Sequence, residues 1–262
     1  MASQISGHPA SDRVRKRLRE SATFQISVDV DNVPQGLAVA EAALAAGVDI
    51  VELGTPLLKC AGVYNAIPAF RERFPEALLL ADMKTMDGGG FEARAVYGSG
   101  GNIIDFLAAA GVDSARGVCA VRDEFRVADA AVPRLAFADI LLPQQGPADH
   151  AVDVARAMVE AGVDGIGIHL QLDARRATPG LWESSYLADV AHAVFAAVGD
   201  RVSVQVVGGL SSRRASELAR EGLRAFVISG NLGVHDAAAR YHLPADEIRD
   251  HVERFIRDVR AA

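Results

Sequence analysis

Apolar runs and alanine-rich segments alternate along the whole chain. Four times a helix-like segment ends at a glycine and an apolar or β-branched run follows at once, starting near Ala46, Gly101, Ala161 and Glu221. Glycine commonly follows the end of a helix, and a continuous apolar run is typical of a strand that is covered on both faces. The four starts are roughly 50 to 60 residues apart, which leaves room for two strand–helix units in each interval.

A further strand can be placed midway in each interval, which gives eight in total. The predicted strand regions are 24–30, 46–54, 77–83, 101–107, 135–142, 161–169, 202–207 and 221–229. The predicted helices are 36–46, 63–74, 91–97, 114–128, 148–161, 187–197, 213–220 and 245–259. Eight alternations that end near residue 260 favour an α/β fold in which a single (β/α)₈ TIM barrel closes on itself. We predict a barrel domain over residues 23–262, preceded by a tail and a short helix in residues 1–22.

Composition narrows the class of protein. The chain has 262 residues, half of them hydrophobic, and a single barrel commonly takes about 250 residues. The formal charge of −7 predicts no nucleic-acid partner and no acidic membrane surface, so an anion would need a local site. No run of about 18 apolar residues occurs, which predicts no membrane span. Cys60 and Cys119 are isolated, which favours a reducing, cytoplasmic setting.

Charged and titratable residues occur at the ends of several predicted strands. They are Asp29, Glu52, Asp82, Lys84, Asp139 and His169. In a parallel barrel the carboxyl ends of the strands converge on one mouth, where the active sites of such enzymes lie. A carboxylate in an apolar strand is costly unless it is paired or bound to a metal. We therefore expect these side chains to form one catalytic site.

The segment Asp82-Met-Lys84-Thr-Met-Asp87 is the strongest single signal. Lysine occurs at only three positions, although lysine and arginine together number 27. The compact ammonium of Lys84 suits the stabilisation of a negative charge or proton transfer, and the flanking carboxylates would keep it protonated. The alternative is a solvated ion-pair cluster at the end of a strand.

Glu52 and Asp82 are candidate ligands for Mg²⁺, which proteins often bind through one or two carboxylates. The alternative for Glu52 is a buried ion pair with a lysine or arginine. His169 ends the apolar run that starts at Gly165, where a neutral imidazole could take and return a proton near pH 7. The alternative for this histidine is a purely structural residue.

Two glycine-containing loops indicate a phosphate site. Gly208 and Gly209 follow the seventh predicted strand, and Gly230 and Asn231 follow the eighth. Glycine lets backbone N–H groups approach an anion, and TIM barrels often bind phosphate with these two loops. Either pair alone could be an ordinary tight turn, but the two together predict a phosphorylated small-molecule substrate.

These residues, in this order, resemble the orotidine-monophosphate-decarboxylase-like barrels, in particular the 3-hexulose-6-phosphate synthases and 3-keto-L-gulonate-6-phosphate decarboxylases. The resemblance covers about residues 24 to 240, and the pairing of Glu-x-Gly-Thr-Pro with Asp-x-Lys-Thr-x-Asp is its most specific mark. The segments that carry it are Ser27–Asp29, Val51–Pro56, Ala81–Asp87, His169–Ala174, Val207–Leu210 and Ile228–Asn231.

The resemblance implies roles for individual residues. Glu52 and Asp82 would hold Mg²⁺, and Lys84 would stabilise a 1,2-enediolate. Asp87 would reach the active site of a neighbouring subunit, which implies a homodimer. In a synthase, His169 would take a proton from C1 of ribulose 5-phosphate and the enediolate would attack formaldehyde. In a decarboxylase, loss of CO₂ would generate the enediolate.

One position favours the synthase branch, and two others depart from the family. The decarboxylases have an arginine where this chain has Leu172, whereas the synthases have an aliphatic residue. Arg175 stands where glutamine is usual, and Asn231 replaces a glycine or arginine. We predict a Mg²⁺-dependent carbon–carbon lyase, with the decarboxylase or a phosphosugar isomerase or epimerase as alternatives. A non-catalytic phosphometabolite-binding protein is a further alternative.

Overall fold

The barrel is seen in a computed structural model, which describes residues 8–143, 147–178, 180–181, 184–228 and 244–262. Eight parallel strands follow one another around a closed barrel in chain order. The strands are β1 (Thr23–Val28), β2 (Ile50–Leu53), β3 (Leu78–Thr85), β4 (Ile103–Leu107), β5 (Leu135–Leu142), β6 (Gly165–Leu170), β7 (Ser203–Val207) and β8 (Ala225–Ile228). The predicted fold class, the number of strands and their order are confirmed.

Helices connect the strands and cover the outside of the barrel. They are α1 (Pro9–Glu20), α2 (Val33–Ala45), α3 (Thr55–Ala61), α4 (Val63–Arg73), α5 (Gly89–Gly98), α6 (Gly111–Ala128), α7 (Ala148–Ala161), α8 (Leu172–Ala177), α9 (Tyr186–Val198), α10 (Ser212–Arg220) and α11 (Ala245–Arg260). A short 3₁₀ turn at Ala108–Ala110 lies between β4 and α6. No helix in these ranges is long and apolar enough to span a membrane.

The structure corrects several predicted boundaries. Strand β2 begins at Ile50, because Gly47 has a φ of 93° and the chain turns there before the strand starts. Asp29 follows β1 instead of lying on it. The short helices α3 and α8 were not predicted, and α3 starts at Thr55-Pro56, where proline favours the first turn of a helix.

Two apolar layers build the core. Side chains that point outward from the strands, such as Ile26 and Ile104, pack under the helices in one large cluster. The inward side chains at the amino ends of the strands form a second cluster. Its buried members are Leu18, Ile50, Leu80, Ile103, Leu135 and Phe137.

Helix α1 supplies Leu18 to this inner cluster, so the N-terminal extension closes the amino-terminal end of the barrel. Arg17 on the same helix is ion-paired with Asp49, just before β2. The Ser11 hydroxyl accepts a hydrogen bond of 3.0 Å from the backbone N–H of Arg134. These contacts leave the carboxyl ends of the strands as the open end of the barrel.

Candidate active site

The inward positions at the carboxyl ends of the strands carry the titratable side chains. Residues i and i+2 of a strand point to the same face, and Glu52, Asp105 and Asp139 are all buried. The register of β3 and β4 places Asp82 beside Asp105. The barrel therefore collects four carboxylates at one level of its interior.

Lys84 lies among these carboxylates. Its ammonium donates to Asp82 Oδ1 at 2.6 Å and to Asp139 Oδ2 at 3.1 Å. Lys84 has a φ of 48°, and the pairing of β3 with β4 shifts register between Asp82 and Thr85. A positive φ is uncommon outside glycine and is usually held in place by the surrounding structure. The irregular end of β3 thus positions the ammonium inside the mouth of the barrel.

Asp139 joins Lys84 to His169. His169 Nδ1 lies 2.8 Å from Asp139 Oδ2, the same oxygen that accepts from Lys84. The other oxygen, Oδ1, is buried without a hydrogen-bond partner among the described residues. It packs against Gly167, where an added Cβ would lie only 2.3 Å away. The glycine therefore makes space for the carboxylate.

Charge keeps this group of side chains ionised. Burial disfavours the charged form of Lys84, but Asp82 and Asp139 raise the pKa of its ammonium well above the ordinary value. Burial also opposes ionisation of Asp139, yet Lys84 and His169 hold the pKa of that carboxyl below its usual range. Lys84 is consequently a cation and Asp139 an anion at neutral pH.

Asp87 does not join this cluster within the chain. It is exposed after the end of β3, and its carboxylate accepts a 2.7 Å hydrogen bond from the backbone N–H of Gly88. Within the chain, the second carboxylate at the Lys84 ammonium is Asp139 and not the flanking Asp87, a contact that sequence spacing alone does not reveal.

Glu52 belongs to a chain of buried side chains across the barrel. Gln25 Nε2 donates to Glu52 Oε2 at 2.6 Å, and Gln205 Nε2 donates to Gln25 Oε1 at 2.9 Å. Burial, followed by repulsion from Asp82 and Asp29, raises the pKa of Glu52 well above its ordinary value. Two glutamines therefore hold a carboxylate in an environment where ionisation is unfavourable without a further cation.

Neighbouring hydroxyl groups orient the other two predicted acids of the mouth. Thr55 donates to Asp82 Oδ2 at 2.8 Å, and Ser27 Oγ lies 3.2 Å from Asp29 Oδ2. Thr55 is the first residue of α3, so this short helix fixes Asp82. Neither hydroxyl was identified from the sequence, although both lie within the segments that carry the family resemblance.

Asp105 is a site residue that sequence reasoning missed. It is buried at an inward position of β4, and its Oδ1 has no hydrogen-bond partner among the described residues. Burial and then repulsion from Asp139 raise its pKa well above the ordinary value. The signal was present in the sequence, since Asp105 interrupts an apolar run as Asp82 does.

A cleft of about 510 Å³, which includes space open to solvent, lies over these residues. Asp29, Glu52, Asp82 and His169 are among the residues that line it. The remaining described residues of its lining are Ser27, Leu170, Leu172, Arg175, Val207, Gly208 and Gly209. The cleft thus brings together the acids from β2 and β3, the histidine of β6 and the glycine turn after β7.

The turn after β7 brings backbone close to the cleft. Gly208 has a φ of 118°, and a Cβ there would lie 2.7 Å from the carbonyl oxygen of Leu170. Only glycine fits this position without displacing backbone. The second predicted phosphate loop, with Gly230 and Asn231, lies outside the described residues.

The donor set of the cleft fits a hard dication. Glu52 and Asp82 both line it, and each repels the other in the absence of a cation. Two carboxylates, with substrate oxygens and water, are typical Mg²⁺ ligands. Within the described ranges, no three Asp, Glu, His or Cys side chains are already arranged as a metal-binding group.

Comparison with known proteins identifies the family. Residues 22–231 match the orotidine 5′-phosphate decarboxylase / HUMPS family. The chain belongs to this family. It is 30% identical over 219 residues to the 3-hexulose-6-phosphate synthase of Methylomonas aminofaciens, an alignment that covers 83% of this chain and 93% of the relative. The family resemblance seen in the sequence is confirmed.

Solved structures support the same assignment. A crystal structure of 3-hexulose-6-phosphate synthase superimposes with a TM-score of 0.70 at 25% identity, covering 87% of this chain and 99% of the other. The 3-keto-L-gulonate-6-phosphate decarboxylase of Vibrio cholerae superimposes with a TM-score of 0.67 at 23% identity, covering 90% of this chain and 99% of the other. The second likeness shows a common fold.

Proposed function

We propose that this family member is a Mg²⁺-dependent carbon–carbon lyase that acts on a ketose phosphate through a 1,2-enediolate, with ribulose 5-phosphate and formaldehyde as its substrates. The observation that carries the proposal is the single carboxylate oxygen of Asp139 shared by Lys84 and His169. It places a permanent cation and a proton acceptor side by side in the mouth of the barrel.

His169 is the proposed base. If Nδ1 carries the proton that is donated to Asp139, the lone pair of Nε2 is left to accept a proton from substrate, as in other carboxylate–histidine pairs. His169 lines the cleft, so its ring is accessible to a bound molecule. Removal of a proton from C1 of ribulose 5-phosphate would leave a 1,2-enediolate. Its C1 would form a bond to the carbon of formaldehyde, whose oxygen then takes up a proton.

Lys84 is the proposed stabiliser of the enediolate. Its raised pKa excludes it as a base at neutral pH, because the ammonium does not release its proton there. A preorganised cation beside a developing negative charge lowers the barrier to the reaction. Asp82 and Asp139 hold the ammonium in place.

Mg²⁺ would be held by Glu52 and Asp82, and when bound it would supply positive charge to the oxygens of the substrate. Gln25 and Thr55 orient the two carboxylates for this role. A bound cation would also relieve the repulsion that raises the pKa of Glu52. A bound metal would thus account for the adjacent buried acids Glu52 and Asp82.

Leu172 favours the synthase over the decarboxylase. It lines the cleft at the start of α8. At this position the decarboxylases of the family have an arginine that assists protonation. An aliphatic side chain supplies no proton at this place. Carbon–carbon bond formation with formaldehyde does not require a proton donor at the position of Leu172.

The test is product formation. With Mg²⁺, ribulose 5-phosphate and formaldehyde, we expect formation of a hexulose 6-phosphate, loss of activity on chelation and recovery when Mg²⁺ is added back. CO₂ release from 3-keto-L-gulonate 6-phosphate that is faster than formation of the hexulose 6-phosphate would favour the decarboxylase. Isomerisation or epimerisation that is undiminished after exhaustive chelation would favour a metal-independent enzyme, and phosphosugar binding without turnover would favour a binding protein.

We also propose a homodimer in which Asp87 lies at the subunit boundary. Two exposed apolar side chains are close to this residue in the sequence, Met86 at 57% and Phe91 at 77% of full exposure. Large apolar side chains grouped on a surface are typical of contact sites. Sedimentation analysis should give a dimer for the wild type and a shift toward monomer for Phe91→Asp, and a monomeric wild type would contradict the proposal.

A further inference from the structure

The cleft needs a positive charge that the catalytic residues do not provide. Asp29, Glu52 and Asp82 line it, and the ammonium of Lys84 is already bonded to two carboxylates. A phosphate monoester that enters such a cleft meets negative charge, in a chain whose net charge is itself −7. Backbone N–H groups of a glycine turn carry only partial charges.

Arg175 is the permanently charged cation among the described residues that line this cleft. It lies on α8, directly after β6, and its Nη1 donates to the carbonyl oxygen of Gly208 at 3.1 Å. This bond holds the guanidinium beside the glycine turn that follows β7. Strands β6 and β7 are neighbours in the barrel, so the two segments adjoin at its mouth.

We infer that Arg175 binds the phosphate group of the substrate, together with the backbone of the Gly208–Gly209 turn. This inference rests on the proposed function only for the identity of the sugar phosphate. The anion site itself rests on the structure alone. A guanidinium matches the geometry of a phosphate, since it offers parallel N–H donors and is charged at any pH a protein tolerates.

The position of Arg175 also suits the reaction. His169 and the Gly208 turn line the same cleft. A phosphate held at the turn directs the opposite end of a short sugar chain toward the acids and the histidine. Arg175 is therefore a specificity-determining residue that selects phosphorylated over unphosphorylated ketoses, and it takes no part in proton transfer.

The test compares Arg175→Gln with Arg176→Gln, which removes the same charge from the next residue of α8, an exposed one. Calorimetric titration with inorganic phosphate measures the anion site without turnover, and steady-state kinetics with ribulose 5-phosphate separate KM from kcat. A charge-assisted hydrogen bond accounts for about a tenfold to hundredfold change in binding. We expect Arg175→Gln to raise the phosphate Kd and the KM by that factor, with kcat changed by no more than a few-fold.

Arg176→Gln should leave both constants unchanged, and Arg175→Lys should recover part of the loss, because it restores the charge without the planar donors. The inference is overturned if Arg175→Gln binds phosphate within twofold of the wild type, if Arg176→Gln weakens binding equally, or if the wild type does not bind phosphate. If the wild type binds phosphate without turning over ribulose 5-phosphate, and Arg175→Gln weakens that binding, the result supports the phosphate site and contradicts the proposed function.

Discussion

The two ends of the barrel differ in the balance between buried acids and the cations that pair with them. At the amino-terminal end, Asp164 is surrounded by three arginines. Its oxygens lie 2.8 Å from Arg122 Nη1, 2.9 Å from Arg126 Nη2 and 3.3 Å from Arg15 Nε. At the carboxyl-terminal end, the four buried acids Glu52, Asp82, Asp105 and Asp139 share one lysine and one histidine.

We interpret the difference as that between a structural cluster and the proposed ligand-binding cluster. Where cations match or exceed the acids, charges are mutually satisfied and the group helps to fasten α1 and α6 to the barrel. Where acids exceed cations, Glu52 and Asp105 have raised pKa values because burial and mutual repulsion oppose ionisation. Buried acids with perturbed pKa values are concentrated at functional sites, which is consistent with the proposed metal and substrate site. Three substitutions test this contrast.

Removal of the ammonium of Lys84 should have the largest effect on activity. We expect Lys84→Ala to lower kcat by about 10² to 10³, the loss typical when one preorganised stabilising group is removed. Lys59→Ala, which removes a lysine from the exposed face of α3, is the matched control and should retain full activity. Full activity of a folded Lys84→Ala protein would refute the proposed role.

Disruption of the other cluster should affect stability instead. Asp164→Ala leaves two buried arginines without their main partner, and we expect a loss of about 3–5 kcal/mol in the free energy of unfolding. Asp123→Ala removes an acid from the same arginines, but its side chain is 41% exposed, and we expect less than about 1 kcal/mol. Urea titration measures both. A loss of kcat in folded Asp164→Ala would show that this cluster is more than structural.

Substitution of Asp105 should have the smallest effect, and it should increase the stability of the fold. Because the pKa of Asp105 is raised in the folded state, the native protein binds more protons than the unfolded chain, and this residue destabilises the fold as pH rises above about 4. Asp105→Asn should therefore raise the free energy of unfolding at neutral pH, by on the order of 1 kcal/mol. The gain should vanish as pH falls below that value.

Asp113→Asn is the control for this measurement, because the Asp113 side chain is fully exposed and pairs with the exposed Arg116. Exposed ion pairs contribute little to stability, so this substitution should change stability only slightly at any pH. Thermal unfolding without added metal at several pH values compares the two variants. A pH-independent effect of Asp105→Asn would contradict the account of repulsion at the mouth.

Periodicity was sufficient to predict the barrel, because each buried strand and each helix covers several residues with one repeating pattern. It was less informative at the mouth. Helices α3 and α8 are too short to show a helical repeat, so the positions of Thr55 and Arg175 beside the cleft could not be predicted. The position of α1 under the barrel could likewise not be predicted, since a charged helix with few apolar residues could pack on the barrel or on a partner chain.

The site residues divide in the same way. Glu52, Asp82 and His169 were predictable because alternation along a strand fixes which side chains point inward. The link from Lys84 to Asp139 depends on contact between side chains from β3 and β5, which no local pattern contains. Asp105 could have been found by the reasoning used for Asp82, since an acid in an apolar strand needs a partner.

Proton exchange at C1 of the substrate tests the central claim most directly. The protein is incubated with ribulose 5-phosphate and Mg²⁺ in D₂O without formaldehyde, and deuterium at C1 is followed by NMR. We predict exchange that is catalysed by the wild type and abolished in His169→Asn. Absence of exchange with the wild type, or undiminished exchange in His169→Asn, would contradict enediolate formation by this histidine.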